Sequence, residues 1–359
     1  MTISTKIHKI SKVLTFNKYV RDSRGAQHEG LLSSENPILL DTSIGSHNAG
    51  DHIIMHYAQK QLNKLWDNLD DRLPVHVLPE SLPHNTRDRL KILCGTNALS
   101  ATADNMRLAA RWLELPKDTS LYAHSILTLA VGMRDIRPGQ GITDKTAMVL
   151  NYLFTDQYVH SVRDSHTEQA LNAIGITNVV NTSCVTMWNL TPQLCASIPT
   201  DKATDVLTTI TDYDFDPDND SHMLHTLQKH YRNVYLWLQG MEDYDKLQTL
   251  ADVEGIRLVH GGFAGLQEFV ATHEDFDYFG TRLHCGIYCL NHGIRSMIVI
   301  IDNRAADIQK DTNIPAVHRT SLKQDMVGLI ENPRVTDIRL PQESIDLWRR
   351  QFIGGRDNQ

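Results

Sequence analysis

Four short segments carry the residue types that handle anions and protons. The first is Gly45-Ser-His-Asn-Ala-Gly-Asp51, which follows an apolar run ending at Asp41. Gly45 and Gly50 let the backbone turn tightly and approach a ligand, Asn48 can hydrogen-bond it, and a helix pattern behind the loop aims its free amides there. Asp51 is a cap for that helix or a base. The second is Ser161-Val-Arg-Asp164, again at the end of an apolar run. Arg163 can hold a phosphate or carboxylate through two parallel hydrogen bonds, or pair with its neighbours and hold the loop. The third is Phe279-Gly-Thr-Arg-Leu-His284, where Gly280 permits close approach. There Arg282 can bind an anion, and His284 can give or take a proton near neutral pH. The fourth is Ile301-Asp-Asn-Arg-Ala305. Its Asp302 can orient a base or a sugar hydroxyl, or cap a helix, and Arg304 adds a third cation.

Other patterns fail on chemistry. Asp212, Asp214, Asp216, Asp218 and Asp220 alternate like a calcium loop, but Pro217 and Met223 stand where such a loop needs Gly and Glu. The stretch is expected to be a solvated turn. His260-Gly-Gly is similar to an esterase oxyanion loop, yet the chain has no Gly-x-Ser-x-Gly elbow. The cysteines at 94, 184, 195, 285 and 289 are odd in number and scattered, as expected of reduced thiols, and no metal motif is present.

Short apolar runs, from Pro37–Asp41 and Pro74–Leu78 to Asn233–Gln239 and Ser296–Ile301, must position these loops. Between them lie helix-length segments such as Asp51–Leu69, Thr102–Leu113, Ser221–Tyr231 and Arg282–Asn291. Buried runs alternating with amphipathic helices predict parallel sheets covered on both faces. There are too many strands for one ordinary sheet. The expected architecture is therefore α/β, with two doubly wound parallel-sheet domains. Residues 1–30 are expected to form a polar, loosely held lead-in. Residues 31–190 and 191–335 should be the two domains, and 336–359 a C-terminal helix and tail. In open parallel sheets ligands bind at the carboxyl ends of the strands, which is where all four segments fall.

The 359 residues carry 35 Lys and Arg against 43 Asp and Glu, a net charge of −8. That balance argues against a protein that grips nucleic acid by bulk charge. No apolar run is long enough to span a bilayer, and the N-terminal residues lack the pattern of a signal peptide. The cytoplasm, or the inner face of the membrane, is the expected location, with at most peripheral membrane contact.

Taken together, Gly45-x-x-Asn48-x-Gly50-Asp51, Ser161-Val-Arg-Asp164, Gly280-Thr-Arg-Leu-His284 and Asp302-Asn-Arg304 resemble the polysaccharide pyruvyl transferase family. The resemblance runs from about residue 38 to about residue 330. It implies two α/β domains facing a cleft, as in GT-B glycosyltransferases. It also implies transfer of pyruvate from phosphoenolpyruvate onto a sugar diol as a cyclic ketal, with the acceptor a glycan or a lipid-linked sugar. No cofactor beyond the donor is implied. Carried onto this sequence, the resemblance makes His284 the general acid, with Asp51 or Asp302 as base. Arg163, Arg282, Leu283, Gly45, Asn48, Gly50, Asn97 and Arg304 become the substrate-binding residues. The chain departs from the family pattern at Gly95-Thr-Asn-Ala-Leu99, where a triple glycine is usual. It departs again at Thr182-Ser-Cys-Val-Thr186, where Thr-Gly-Cys-Pro-Thr is usual. Two other readings fit the same residues: a nucleotide-sugar glycosyltransferase of GT-B-like fold, and a non-catalytic glycan- or nucleotide-binding protein.

Overall fold

Parallel strands lose both faces to helices, so they must be apolar throughout rather than alternating. The computed structural model describes residues 3–24, 32–104, 113–134, 141–250 and 253–353. It divides into two compact units. The first comprises Met1–Ser46, Ile54–Val185 and Pro341–Gln359, and the second His47–Ile53 and Thr186–Leu340.

The first unit is built on a parallel sheet of β1 (Ser33–Asp41), β2 (Arg72–Pro74), β3 (Arg89–Cys94) and β5 (Ile126–Leu129), in the order β2-β1-β3-β5. Pro74 closes β2 at the sheet edge, where a missing N–H is tolerated, so the expected run to Leu78 does not extend the strand. Two short parallel pairs follow. One is β4 (Leu99–Ser100) with β6 (Met133–Arg134), and the other is β7 (His160–Val162) with β8 (Val179–Asn181). A parallel bridge between Val131 and Val162 sets β7 beside the chain leaving β5.

Residues expected to be a loose lead-in form helix α1 (Ile3–Asp22). Phe16, Tyr19 and Val20, spaced to share one helical face, are buried, and the Tyr19 hydroxyl donates to the Pro116 carbonyl at 3.1 Å. The last helix, α12 (Gln342–Arg350), buries Ile345 and Trp348. Beyond it, Phe352 packs on Trp66 and Tyr158, with ring centroids 4.6 and 5.5 Å apart. These apolar contacts explain why the C-terminal segment groups with the first unit.

The second unit contains a six-stranded parallel sheet. Its strands are β9 (Asp205–Thr208), β10 (Val234–Trp237), β11 (Arg257–Val259), β12 (Phe276–Gly280), β13 (Ser296–Ile300) and β14 (Ala316–His318). Their order is β11-β10-β9-β12-β13-β14, the doubly wound arrangement. β9, β12 and β13 are buried along their whole length. Helix α9 (Leu283–Asn291) is buried through Leu290 on all sides, which its Cys, Ile, Tyr and Leu side chains allow.

Two expected helices shift. α2 (Ala49–Leu62) stops before Leu69. α6 (Pro217–His230) starts four residues before Ser221, because Asp216 caps it by accepting from the Asn219 N–H at 3.1 Å and Pro217 opens its first turn. The expected helix Thr102–Leu113 falls largely outside the described residues.

Candidate functional site

Strand order in the second sheet reverses between β9 and β12, and at such a switch point the carboxyl ends diverge to leave room for a ligand. Thr209–Asp212 leave β9 there, and Thr281 and Arg282 leave β12. The two chains are stitched together. The Thr281 N–H donates to the Thr209 carbonyl at 3.1 Å, and the Thr211 and Thr281 hydroxyls are 2.8 Å apart. Gly280 has to be glycine, since a Cβ would come within 2.6 Å of Thr209 N and Oγ1. The Arg282 N–H donates to Thr209 Oγ1 at 3.1 Å and to the Tyr278 hydroxyl at 3.2 Å. Tyr278 in turn donates to the Arg282 carbonyl at 2.8 Å. The backbone is thus fixed from both sides just where α9 begins. Leu283 and His284 occupy that helix's first turn and are buried. The first-turn amides point out of the helix, outside its own ladder.

The Arg282 side chain is only 4% exposed. Its Nε donates to the Ile210 carbonyl at 3.1 Å, and its Nη2 meets Asp212 Oδ1 at 3.0 Å and Asp243 Oδ1. Asp243 is a hub. Its Oδ1 also accepts from the Asp212 N–H at 3.2 Å, and its Oδ2 accepts from the Gln239 and Gly240 N–H groups at 3.0 and 2.7 Å. Burial pushes the Asp243 carboxyl above the usual range. The Arg282 charge and the Gly240 amide pull the other way without cancelling it.

Tyr213, next to Asp212, lays its ring beside both cations of this edge. The Arg282 and Arg304 guanidinium carbons lie 5.4 and 5.3 Å from its centroid, within cation–π range. Its hydroxyl donates to Asp302 Oδ2 at 3.2 Å and accepts from Arg304. Asp302 caps α10 (Asn303–Thr312) through the Arg304 N–H at 3.0 Å and takes the Arg304 Nε at 2.8 Å. Burial works against the Arg304 charge, but Asp302, Tyr213 and Asp51 outweigh it and raise its pKa above the ordinary guanidinium value.

The segment His47–Ile53 belongs to this same unit. The Ala49 N–H donates to the Gln239 carbonyl at 3.0 Å. Asn48 Oδ1 accepts from Gln239 Nε2 at 2.9 Å and from the Gly50 N–H at 3.0 Å. A Cβ on Gly50 would sit 2.9 Å from Gln239 Nε2. Asp51 is buried in the first turn of α2. One edge of the second sheet therefore gathers Asn48, Gly50, Asp51, Arg282, Leu283, His284, Asp302 and Arg304.

The remaining sequence-selected residues lie in the first unit. Gly45, at φ 73°, takes the left-handed conformation of a turn. Arg163 is 1% exposed. It donates to Asn97 Oδ1 and reaches Asp164 Oδ2 at 3.4 Å, while Asp164 caps α4 (Ser165–Ala173) through the Thr167 N–H at 2.7 Å. A Cβ at Gly132 would fall inside the Arg163 guanidinium, so that group lies flat on bare backbone. Arg163 and Asn97 hold each other.

Four site residues escaped the sequence reading: Asp212, Tyr213, Gln239 and Asp243. The stretch around Asp212 is no solvated turn, because Asp212 is an Arg282 partner, Asp216 a helix cap, and Asp220 is buried. The signal was available for Asp212, which lies two residues past the run Val206–Ile210 at the same sheet edge. His273, a conceivable substitute acid, precedes β12 and so sits at the opposite end of that strand from Arg282. Among the described residues no three His, Cys, Asp or Glu side chains stand together as metal ligands. No described helix is long and apolar enough to cross a membrane.

The family profile of polysaccharide pyruvyl transferases matches residues 48–303, from Asn48 to one residue past Asp302. The chain belongs to the polysaccharide pyruvyl transferase family. Membership makes it a transferase of the polysaccharide-modifying kind. The matched span covers the whole set gathered at the second sheet's edge except Arg304. No curated protein matches the chain. Among solved structures, the wall teichoic acid polymerase TagF aligns over 99% of this chain and 93% of its own, with 10% identity and a TM-score of 0.38.

Proposed function

We propose that this pyruvyl transferase family member moves pyruvate from phosphoenolpyruvate onto a sugar diol of a polysaccharide or its precursor, forming a cyclic ketal. The observation that carries the reading is the placement of the family's Arg282-Leu283-His284 at the switch point, with a cation and a titratable ring opening one buried helix. Arg282 and Arg304 take the donor's anionic groups.

In the first step His284 gives a proton to the donor's methylene carbon, and the C=C electron pair forms the new C–H bond. Positive charge is left on the carbon that bears carboxylate and phosphate. One sugar hydroxyl attacks that carbon and loses its proton to a base. Phosphate then leaves with its C–O bonding pair, and the second hydroxyl closes the ring as it too loses a proton. The products are the ketal and inorganic phosphate. Asp51 or Asp302 serves as the base, and Asp302 also holds the Arg304 guanidinium and caps α10.

Incubation with phosphoenolpyruvate and a panel of glycans tests this. The expected result is phosphate release, together with a sugar mass gain of one pyruvate less one water. Release only from a nucleotide sugar would refute the donor. His284→Gln keeps size but cannot act as the acid, and should lose about 10²–10⁴ in turnover with donor affinity little changed. Turnover within a few-fold of wild type would remove His284 from the role.

A further inference from the structure

We infer that Asp212 is a positioning residue that competes with the donor, holding the place on Arg282 that the donor's anion takes. The inference rests on the reading of Arg282 as a donor-binding cation. Two carboxylates share the Arg282 Nη2, and they are not equivalent. Asp243 is fully buried and pinned by three backbone N–H groups from two loops. The Asp212 side chain is 21% exposed, and its Oδ1 is held by Arg282 at 3.0 Å and by the N–H of its own neighbour Tyr213 at 2.8 Å. Asp212 is therefore the partner that can leave. Tyr213, next in the chain, is 56% exposed, and its ring lies beside the guanidinium.

The Gly240 backbone closes one side of this pair. A Cβ at Gly240 would come within 2.7 Å of Arg282 Nη2 and 2.8 Å of Asp212 Oδ2, so that wall has no slack. An anion that takes the Asp212 place on Nη2 replaces the carboxylate there. A singly charged ligand then exchanges one carboxylate for another and gains little. Phosphoenolpyruvate carries a phosphate as well as a carboxylate, and its greater charge gains more from the guanidinium. Displacing Asp212 costs the same for either ligand, so Asp212 sets a threshold that the more highly charged donor clears more readily.

Calorimetric titration of the full chain and of Asp212→Asn with phosphoenolpyruvate and with pyruvate tests this. Asn keeps the shape and one acceptor but removes the charge. The variant should bind phosphoenolpyruvate about 3- to 30-fold tighter, as expected when a charge-assisted competitor is weakened. Pyruvate should gain by a similar factor, because the carboxylate displaced is the same for both ligands. Unchanged or weaker donor binding in the variant overturns the inference and leaves the donor reading standing. Failure of both proteins to bind or turn over phosphoenolpyruvate removes the donor reading, and the inference with it. Hydrogen exchange on the unmodified chain gives a second test that needs no variant. Phosphoenolpyruvate should speed exchange at the Tyr213 amide, which Asp212 holds in the free protein, and slower or unchanged exchange would overturn the proposal.

Discussion

Replacing Asp243 should destabilise the second unit through what it strands rather than through the loss of a favourable pair. Its carboxylate accepts from the Arg282 guanidinium and from the backbone N–H groups of Asp212, Gln239 and Gly240. The carboxyl's raised pKa means that its own desolvation is not repaid in full. In Asp243→Ala, however, Arg282 keeps one carboxylate, and three buried N–H groups lose their acceptor. Breaking such a pair from one side costs about 3–5 kcal/mol. Asp243→Asn has one acceptor oxygen where there were two, and its NH₂ must face either the Gln239 and Gly240 amides or the Asp212 amide and Arg282. A loss of about 1.5–3 kcal/mol follows. For a unit of this size each kcal/mol lowers the midpoint by roughly 2–4 °C, so the alanine variant should melt about 6–20 °C lower. Differential scanning calorimetry of the whole chain, checked by urea unfolding, reads this directly. If both variants stayed within about 0.5 kcal/mol of wild type, the four donors would have other partners, and Asp243 would not be the hub described here.

Two buried ionisable groups away from the site give predictions with opposite pH signs. Burial raises the Asp220 carboxyl to about 6 against the Arg319 charge, so between pH 4 and 6 the folded state binds the proton that the unfolded state has released. Stability should therefore fall as pH rises through that window, by at most about 3 kcal/mol, and Asp220→Asn should flatten the slope and unfold at higher urea at pH 7. Lys91, buried in β3 with Nζ donating to the Arg89 carbonyl at 2.8 Å, is pulled down to about 7 by burial, so above that pH the unfolded state holds the extra proton. Wild-type stability should rise from pH 7 towards 9. Lys91→Met should show little slope there and gain about 1–3 kcal/mol at pH 7, because the ammonium's desolvation is gone. A wild-type profile flat from pH 7 to 9 would mean that Lys91 is solvated.

The sequence alone was enough for the layered architecture and for most of the loops that matter. Runs such as Ile92–Cys94, Val206–Leu207 and Met297–Ile300 are apolar without alternation, and only strands covered on both faces need that pattern. The carboxyl-end rule then selected Asn48 to Asp51, Arg282 to His284, and Asp302 with Arg304, and the fold gathers these at one sheet edge. Local signals were read less well where they competed. The alternating aspartates from 212 to 220 looked like one solvated turn, although Asp216-Pro217 is a cap and a first-turn proline.

What the sequence could not decide was which charges meet. Arg163, at a sheet end before a helix, has the same local setting as Arg282, and nothing nearby in sequence distinguishes them. Their surroundings come from strands and loops remote in the chain. Asn97 and the bare backbone of Gly132 immobilise Arg163, whereas Asp212 and Asp243 hold Arg282 between a partner that is pinned and one that can leave. Hydrophobic periodicity repeats over a few residues and can be read locally. The pairing of buried charges depends on which chain segments the sheet order brings side by side, and only the tertiary structure fixes that.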